Sequence, residues 1–434
     1  MKTYPEVVAF LYGLQSRGMK FGLRGIRSAM QSLGRPDRRL RCVHIAGSNG
    51  KGSTAAMIAA ALTAAGYRTG LFTSPHLVDF SERIRIDGKP IPKQAVVRLT
   101  LRLRKTIAVH HLTFFEAVTG MALRYFADER VDIAVIETGL GGRLDATNVV
   151  RPMVSVITTI SLEHTSLLGN SLRKIAYEKA GIVKSGVPCI TGVRSPSALR
   201  VIKSICRKWR SSLIGTHGAR IRIHRLELRG SVVSISFRGV SMPELVLSLA
   251  GKHQVRNAVL AIAALQELAF QGFKIHEDAI RRGIGSVHSL TGFHGRLSLV
   301  GRNPSLIADV AHNADAVRIL VKALREIGIP KVHIVFGVME DKAVRRMVKF
   351  LAPITRSLAA VQPRTSRSLP AAMVEQECRR LQIPVFYRGP VAKGIKRARS
   401  LAGKNGTVVI TGSHFVVGEA LAALKRKKYL TINQ

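Results

Sequence analysis

The chain has 434 residues, 46% hydrophobic and 22% charged. That balance excludes a disordered polymer and gives room for two or three domains with buried cores. Sixty-eight Lys and Arg against 26 Asp and Glu leave a net charge of +42, a field that favours acidic small molecules, nucleic acid or simply a solvated basic surface.

Aromatics make up 5% of the chain and no arginine run is interleaved with them, so specific nucleic-acid binding is not expected. The basic clusters are modest, at Arg35–Arg41, Arg98–Lys105 and Lys425–Lys428. No apolar run reaches bilayer-spanning length. The N-terminal segment, broken by Pro5 and Glu6, reads as an amphipathic helix rather than a secretion signal. Cys42, Cys189, Cys206 and Cys378 are scattered, with no CxxC pair. They read as reduced core thiols of a cytoplasmic protein, not as a disulfide framework or a zinc site.

In chain order, an apolar stretch at 41–46 leads into Gly47-Ser-Asn-Gly-Lys-Gly-Ser53 and an Ala-rich helix to residue 65. A strand, a glycine-rich turn holding one lysine and a helix make a phosphate cradle, with backbone N–H groups facing the anion. Gly52 stands where the common pattern has Ser or Thr, and Ser53 follows. Further strands are expected at 69–73, 131–138, 154–160 and 187–191, with helices at 93–108, 114–128 and 171–182. The stretch 220–239 alternates with period two around Arg229-Gly230-Ser231, which predicts an antiparallel hairpin decorating this domain. A helix over 253–270 follows, and 289–295 is the expected linker. From Ser305 a second alternation begins. Its strands are expected at 306–311, 332–338, 357–361, 384–387 and 407–411, and its helices near 313–327, 340–352, 370–381, 390–402 and 416–426. The chain is therefore expected to be an α/β protein with two parallel, helix-covered sheets, one in residues 1–290 and one in 296–434.

Polar residues gather where these strands should end, which is where open α/β sheets bind ligands. Ser74 follows the second strand and could ligate a metal or simply belong to a rigid turn. Glu137 ends a strand near the phosphate loop, where a nucleotide-bound Mg²⁺ wants a hard oxygen. In the Gly-rich segment after it, Asp145 reads equally as a turn cap. His164 ends the adjacent strand and suggests a second metal position. Lys179, flanked by apolar residues, reads as a surface lysine. Asp309 and His312 sit at a strand end of the second domain, and Arg296 just before it could swing onto phosphate oxygens.

Together these segments resemble the folylpolyglutamate synthase/dihydrofolate synthase family of Mur-type ATP-dependent amide ligases. The resemblance runs from about residue 18 to 420, through KFGL (20–23), AGSNGKGS, TSPHL, LTFFEAVT (112–119), ETGLGGRLDATN, LEHTSLLG, EKAGI, GKHQVRN (251–257), HGRL, DVAHN, FGVMEDK (336–342) and TGSHF (411–415). It implies a P-loop ATPase domain with a small antiparallel β element and a Rossmann-like C-terminal domain. Ser48, Asn49, Gly50, Lys51, Gly52 and Ser53 would hold ATP phosphates, and Asn257, Arg296 and Asp309 would contact ATP. Ser74, Glu137 and His164 would ligate Mg²⁺, with Lys179 carbamylated to hold a second ion. Gly18, Met19, Lys20, Phe21, Thr113, Phe114, Phe115, Glu116, Leu144, Asp145 and Ala146 would line a pterin pocket. His312 and Ser413 would stand on the glutamate side. Lys51, Lys179 and His312 are the expected catalytic groups.

The implied reaction joins L-glutamate to 7,8-dihydropteroate, to a reduced folate, or to both, through an acyl phosphate. A monomer with two Mg²⁺ sites is expected. The chain departs from the family at His294-Gly-Arg-Leu297 and His312-Asn-Ala314, where prolines and a phenylalanine are common, and it has Glu163 as the acidic residue before the metal histidine. Two other readings compete: a peptidoglycan-precursor ligase, or a basic nucleic-acid-associated P-loop protein. Only 46 residues precede Gly47, too few for the sugar-nucleotide domain of the former.

Overall fold

The strands that read as continuous apolar runs are those with both faces covered, and they form the middle of each sheet. The computed structural model describes residues 2–18 and 22–425. The first sheet contains β1 (Cys42–Ala46), β2 (Thr69–Phe72), β3 (Ile84–Ile86), β4 (Lys89–Pro90), β5 (Ile133–Glu137), β6 (Val154–Ile157), β7 (Cys189–Thr191) and β8 (Leu213–Gly215), in spatial order β4-β3-β2-β5-β1-β6-β7-β8. It is parallel from β2 to β8. The short β3 and β4 add an antiparallel edge that the sequence pattern did not reveal.

Alternate residues of β1 serve opposite cores. Cys42 joins the layer made by α1 (Tyr4–Gly13), α2 (Arg24–Ser32), α4 (Lys93–Val109) and α5 (Phe114–Asp128). Val43 and Ile45 face α3 (Lys51–Ala64), α9 (Lys252–Phe270), α10 (Glu277–Gly285) and α11 (Val287–Thr291). Helix α3 follows the phosphate loop and is buried on nearly every side, which explains its lack of a polar face. Along its length α10 comes so close that a Cβ on Gly283 would lie 2.4 Å from the Ala61 Cα. Helices α6 (Thr165–Leu168), α7 (Leu172–Ala180) and α8 (Pro196–Lys208) complete the domain beside β6 to β8.

The expected hairpin is a three-stranded sheet of β9 (Arg220–Glu227), β10 (Gly230–Phe237) and β11 (Val240–Leu247). Pro243 and Glu244 interrupt the alternation of β11, and the ladder shifts register between Val233 and Ile235. The turn lies at Leu228–Arg229, one residue before the expected place. This sheet is not a decoration. Val233, Ile235, Phe237, Met242, Leu245 and Leu247 belong to the core of α3 and α9, and Leu228 packs against the core of the second domain.

The expected linker is also corrected, because residues 289–291 finish α11. The Thr291 hydroxyl donates to the Val287 carbonyl at 2.6 Å, and Gly292 ends the helix at φ 63°. The second sheet, of β12 (Ser298–Gly301), β13 (Ser305–Ala308), β14 (Val332–Phe336), β15 (Thr355–Gln362), β16 (Val385–Pro390) and β17 (Thr407–Thr411), has the order β12-β13-β17-β14-β15-β16. Only β12 is antiparallel to its neighbour. Helices α12 (Ala314–Glu326), α13 (Val344–Leu351) and α14 (Ala371–Arg380) cover one face, and α15 (Val391–Ala402) and α16 (His414–Leu424) cover the other. The domains grip each other reciprocally: Leu77 and Val78 pack into the second domain's core, and Phe415 packs into the first.

Candidate functional site

Four neighbouring strands, β2, β5, β1 and β6, lead in that spatial order to Ser74, Glu137, the phosphate loop and the Glu163–His164 segment. Residues scattered over more than a hundred positions thus meet at one sheet edge. The loop is tied down by the residues that follow β6. Ser48 N–H donates to the Thr159 carbonyl at 2.8 Å, and Asn49 N–H donates to Thr159 Oγ1 at 3.0 Å. Gly47 and Gly50 take φ of 148° and 89°, and a Cβ at Gly47 would lie 1.9 Å from Thr158 Oγ1. A side chain is excluded there on both counts. Lys51 Nζ donates to the Gly47 carbonyl at 3.1 Å, folding back over its own loop. The unusual Gly52 has a local reason too: a Cβ would sit 3.0 Å from the Phe293 ring of the linker and 3.5 Å from Glu137 Oε2.

Glu137 is buried and accepts the Ser74 N–H at 3.1 Å. Burial pushes its carboxyl above the usual range, against the pull of Lys51, Arg296 and Arg83. A buried carboxylate of this kind suits a hard divalent cation. Among the described residues no cluster of three His, Cys, Asp or Glu side chains could hold a metal ion, so hydroxyl, water or phosphate oxygens would have to complete any such site.

Lys179 is not a surface lysine. Its side chain is 2% exposed and its Nζ lies 2.8 Å from Glu163 Oε1, with a second bond to the Gly47 carbonyl at 3.0 Å. Burial lowers the lysine's pKa, although Glu163 opposes that shift. The Glu163 carboxyl, for its part, overcomes its own burial and is held at about 2, chiefly by Lys179. The adjacent His164 takes φ 45° at the start of α6, and burial lowers its pKa.

From the second domain, Arg296 lies over the Phe293 ring at 5.6 Å. Burial lowers its pKa against the fields of Asp309 and Glu137, yet a guanidinium stays charged. Both Asp309 oxygens accept backbone N–H groups at 2.9 Å, from Leu297 and from Ala311. His312 Nδ1–H donates to the Val310 carbonyl at 3.0 Å, which leaves Nε2 as a bare acceptor. Burial holds this ring neutral, with its pKa at about 4. Its ring centroid is 5.2 Å from that of His414. Ser413 caps α16, its Oγ accepting Val416 N–H at 3.1 Å. Asn257 donates to Gln254 Oε1 at 2.9 Å and lies under Gly50, whose Cβ would meet its Oδ1 at 2.6 Å. A cavity of about 240 Å³ opens between the domains, lined by Ser74, His76, Glu137, Phe293, Arg296 and His414. A larger groove of about 600 Å³ beside α15 contains none of the expected site residues.

Of the residues expected around a pterin, Met19, Lys20 and Phe21 lie outside the described residues, and Gly18 is exposed. Thr113 and Glu116 form a capping box at the start of α5. Phe114 is stacked on Tyr12 at 5.6 Å and packs edge-on against Phe80. Phe115 is half-buried and lies over Gly139, whose Cβ would reach its ring at 2.5 Å. Asp145 clamps its own loop, accepting from Thr147 N–H at 3.0 Å and Leu140 N–H at 2.8 Å. Ala146 is buried beside it and Leu144 is half-buried. Several polar groups in this set therefore hold backbone in shape, whatever else they touch.

Sequence reasoning gave no site role to Tyr12, His76, Arg83, Glu163, Phe293 or His414. Arg83 Nε donates to His76 Nδ1 at 2.9 Å, so the neutral ring carries its proton on Nε2, facing the Tyr12 hydroxyl at 3.0 Å. The acidic residue before His164 was the one available signal for Glu163. The contact between Tyr12 and His76 spans 64 positions and left no local pattern.

Residues 45–265 match the Mur ligase middle domain, and residues 295–414 match the Mur ligase glutamate ligase domain. Dihydrofolate synthase/folylpolyglutamate synthase of Bacillus subtilis is 33% identical over 98% of this chain and 99% of its own length. The protein of that name in Escherichia coli is 33% identical over 80% of this chain and 79% of its own. Mycobacterium tuberculosis folylpolyglutamate synthase complexed with ADP superposes with a TM-score of 0.89 at 31% identity, covering 98% of this chain and 99% of that one. E. coli FolC in complex with DHPP and ADP gives 0.86 at 28% identity, with 97% and 98% covered.

Proposed function

The chain belongs to the dihydrofolate synthase/folylpolyglutamate synthase family of Mur ligases, and from that membership we propose that it joins L-glutamate to 7,8-dihydropteroate, to a reduced folate, or to both, using ATP. The observation that carries the reading is the meeting of the phosphate loop, Glu137 and the Glu163–Lys179 pair at adjacent strand ends, with Arg296 of the second domain close enough to act on Glu137.

The substrate carboxylate takes the γ-phosphoryl group of ATP to give an acyl phosphate. The amine of glutamate then attacks the acyl carbon, and phosphate leaves as the amide forms. Two anions meet in the first step, so the cations Lys51 and Arg296 lower its barrier by screening them. Mg²⁺, bound through Glu137 and Ser74, would add further charge neutralisation at the phosphate oxygens. His312, neutral and with Nε2 unprotonated, accepts a hydrogen bond from the incoming amine. Domain closure keeps water from the acyl phosphate.

Lys179 would act as a carbamate, the neutral amine adding to CO₂ with loss of a proton. Burial favours the neutral amine this needs. The modification would put an anion beside Glu163, and the two would help to hold a divalent cation that offsets their charge. His164 is the remaining protein donor there. We further propose a cytoplasmic monomer; no helix among the described residues is long and apolar enough to cross a membrane. Purified protein given Mg²⁺-ATP, L-glutamate and 7,8-dihydropteroate or a reduced folate releases ADP only when glutamate is present. Failure with both acceptors refutes the ligase reading.

A further inference from the structure

Several contacts between the domains involve residues outside the phosphate loop. Leu77, Val78, Leu228 and Phe415 pack apolar surface, and Lys252 pairs with Glu326 at 3.2 Å. Over the loop itself there is a different kind of contact. Asn49 Nδ2 donates to Asp315 Oδ2 at 3.3 Å, between residues 266 positions apart. The Asn49 backbone is already fixed from below. Its N–H goes to Thr159 Oγ1 at 3.0 Å, and its carbonyl accepts from Thr158 Oγ1 at 2.7 Å and Thr159 Oγ1 at 3.0 Å. The amide is thus left to face the second domain.

The other partner is equally well held. Asp315 lies in the first turn of α12, one residue past the helix start, and its second oxygen pairs with Arg318 at 2.6 Å. The segment leading to it is held by hydrogen bonds: Asp309 accepts two backbone N–H groups, His312 is tied to Val310, and Asn313 caps α12 by accepting Ala316 N–H at 2.8 Å. A bare carboxylate at this place would repel the polyphosphate of ATP. Its pairing with Arg318 cancels that charge while leaving one oxygen free to accept the amide hydrogen.

We infer that Asp315 is a positioning residue: through Asn49 it seats the second domain on the phosphate loop, and so places Arg296 and His312 against the reacting groups. The inference rests on the ligase reading. The chemistry of the contact asks only for an oxygen acceptor of the right length at position 315, not for a charge.

Two variants separate this role from a contribution to helix stability. Asp315→Ser is compatible with a helix start but too short to reach Asn49. Asp315→Asn keeps an acceptor oxygen of the same length and loses the charge. The expected result is a kcat about three- to ten-fold lower in D315S, the scale of one hydrogen bond. ADP affinity, measured by titration calorimetry, should stay within about two-fold, and D315N should turn over within about two-fold of the native chain. Equal losses in D315S and D315N, or D315S indistinguishable from the native chain, overturn the inference. A loss in D315S confined to ADP affinity overturns it as well. If the native chain itself shows no glutamate-dependent ADP release, it is the ligase reading that fails, and the two failures are therefore distinguishable.

Discussion

The buried pair Glu163–Lys179 makes acid stability a direct test of the site's electrostatics. In the folded chain the Glu163 carboxyl titrates at about 2 rather than at its ordinary 4.5. A group depressed on folding stabilises the native state above its unfolded pKa, and that stabilisation is lost as pH falls through the folded value. The window is therefore pH 4.5 down to pH 2. Its size follows from the shift: at 1.36 kcal/mol per unit, about 3 kcal/mol is at stake. Glu163→Gln removes the titrating group and leaves the Lys179 cation, 2% exposed, with an amide instead of a charge. At pH 7 the variant should be less stable than the native chain by roughly 2–4 kcal/mol, consistent with the cost of breaking a buried pair. The gap should close as pH falls from 4.5 to 2. The assay is urea unfolding followed by the fluorescence of Trp209, the single tryptophan, which lies in the first domain. Buffers free of bicarbonate and Mg²⁺ keep the lysine unmodified. Parallel stability curves for the two proteins across that window would refute the reasoning.

Three other expectations can be checked separately. Lys179→Ala abolishes turnover, and in the native chain stripping bicarbonate lowers turnover reversibly; an active K179A excludes the carbamate. Gly50→Ala places a Cβ 2.6 Å from Asn257 Oδ1 at φ 89°, strain of about 1–3 kcal/mol before any clash. ADP affinity measured by calorimetry should drop about ten-fold or more, and an unchanged affinity contradicts the loop geometry. Thr113→Ala breaks the capping box of α5 and should cost about 1 kcal/mol in urea unfolding, whereas Thr113→Ser should retain most of it; equal stability of all three proteins would show that the cap contributes nothing.

Much of this architecture was legible because the central strands are short apolar runs and the helices between them are periodic. What escaped was set by distant partners. The strand Val240–Leu247 carries Pro243 and Glu244, and only its pairing with β10 makes it a strand. The edge strands β3 and β4 are two or three residues long, below the length at which alternation can be recognised. At the site, the phosphate loop declared itself through glycines whose need is local. Lys179 did not, because its burial depends on Glu163 and Gly47 arriving from other strands. Read alone it was a surface lysine; the ion pair with Glu163 accounts for its burial, and its function is proposed from the family resemblance. Asp145 and Glu116 show the converse, as residues picked for a ligand that also hold loop and helix termini. The net charge of +42 has no single structural cause: helices such as α4 and α8 carry lysines and arginines with no carboxylate on the same helix.

The central claim is that the carboxylate is activated by phosphorylation before the amide forms. It is tested most directly with 7,8-dihydropteroate, or a reduced folate, bearing ¹⁸O in the reacting carboxylate, together with ATP and L-glutamate. Attack of the amine on an acyl phosphate expels phosphate carrying one carboxylate oxygen, so the account predicts ¹⁸O in the released inorganic phosphate, one label per amide formed. Amide formation with unlabelled phosphate would contradict it.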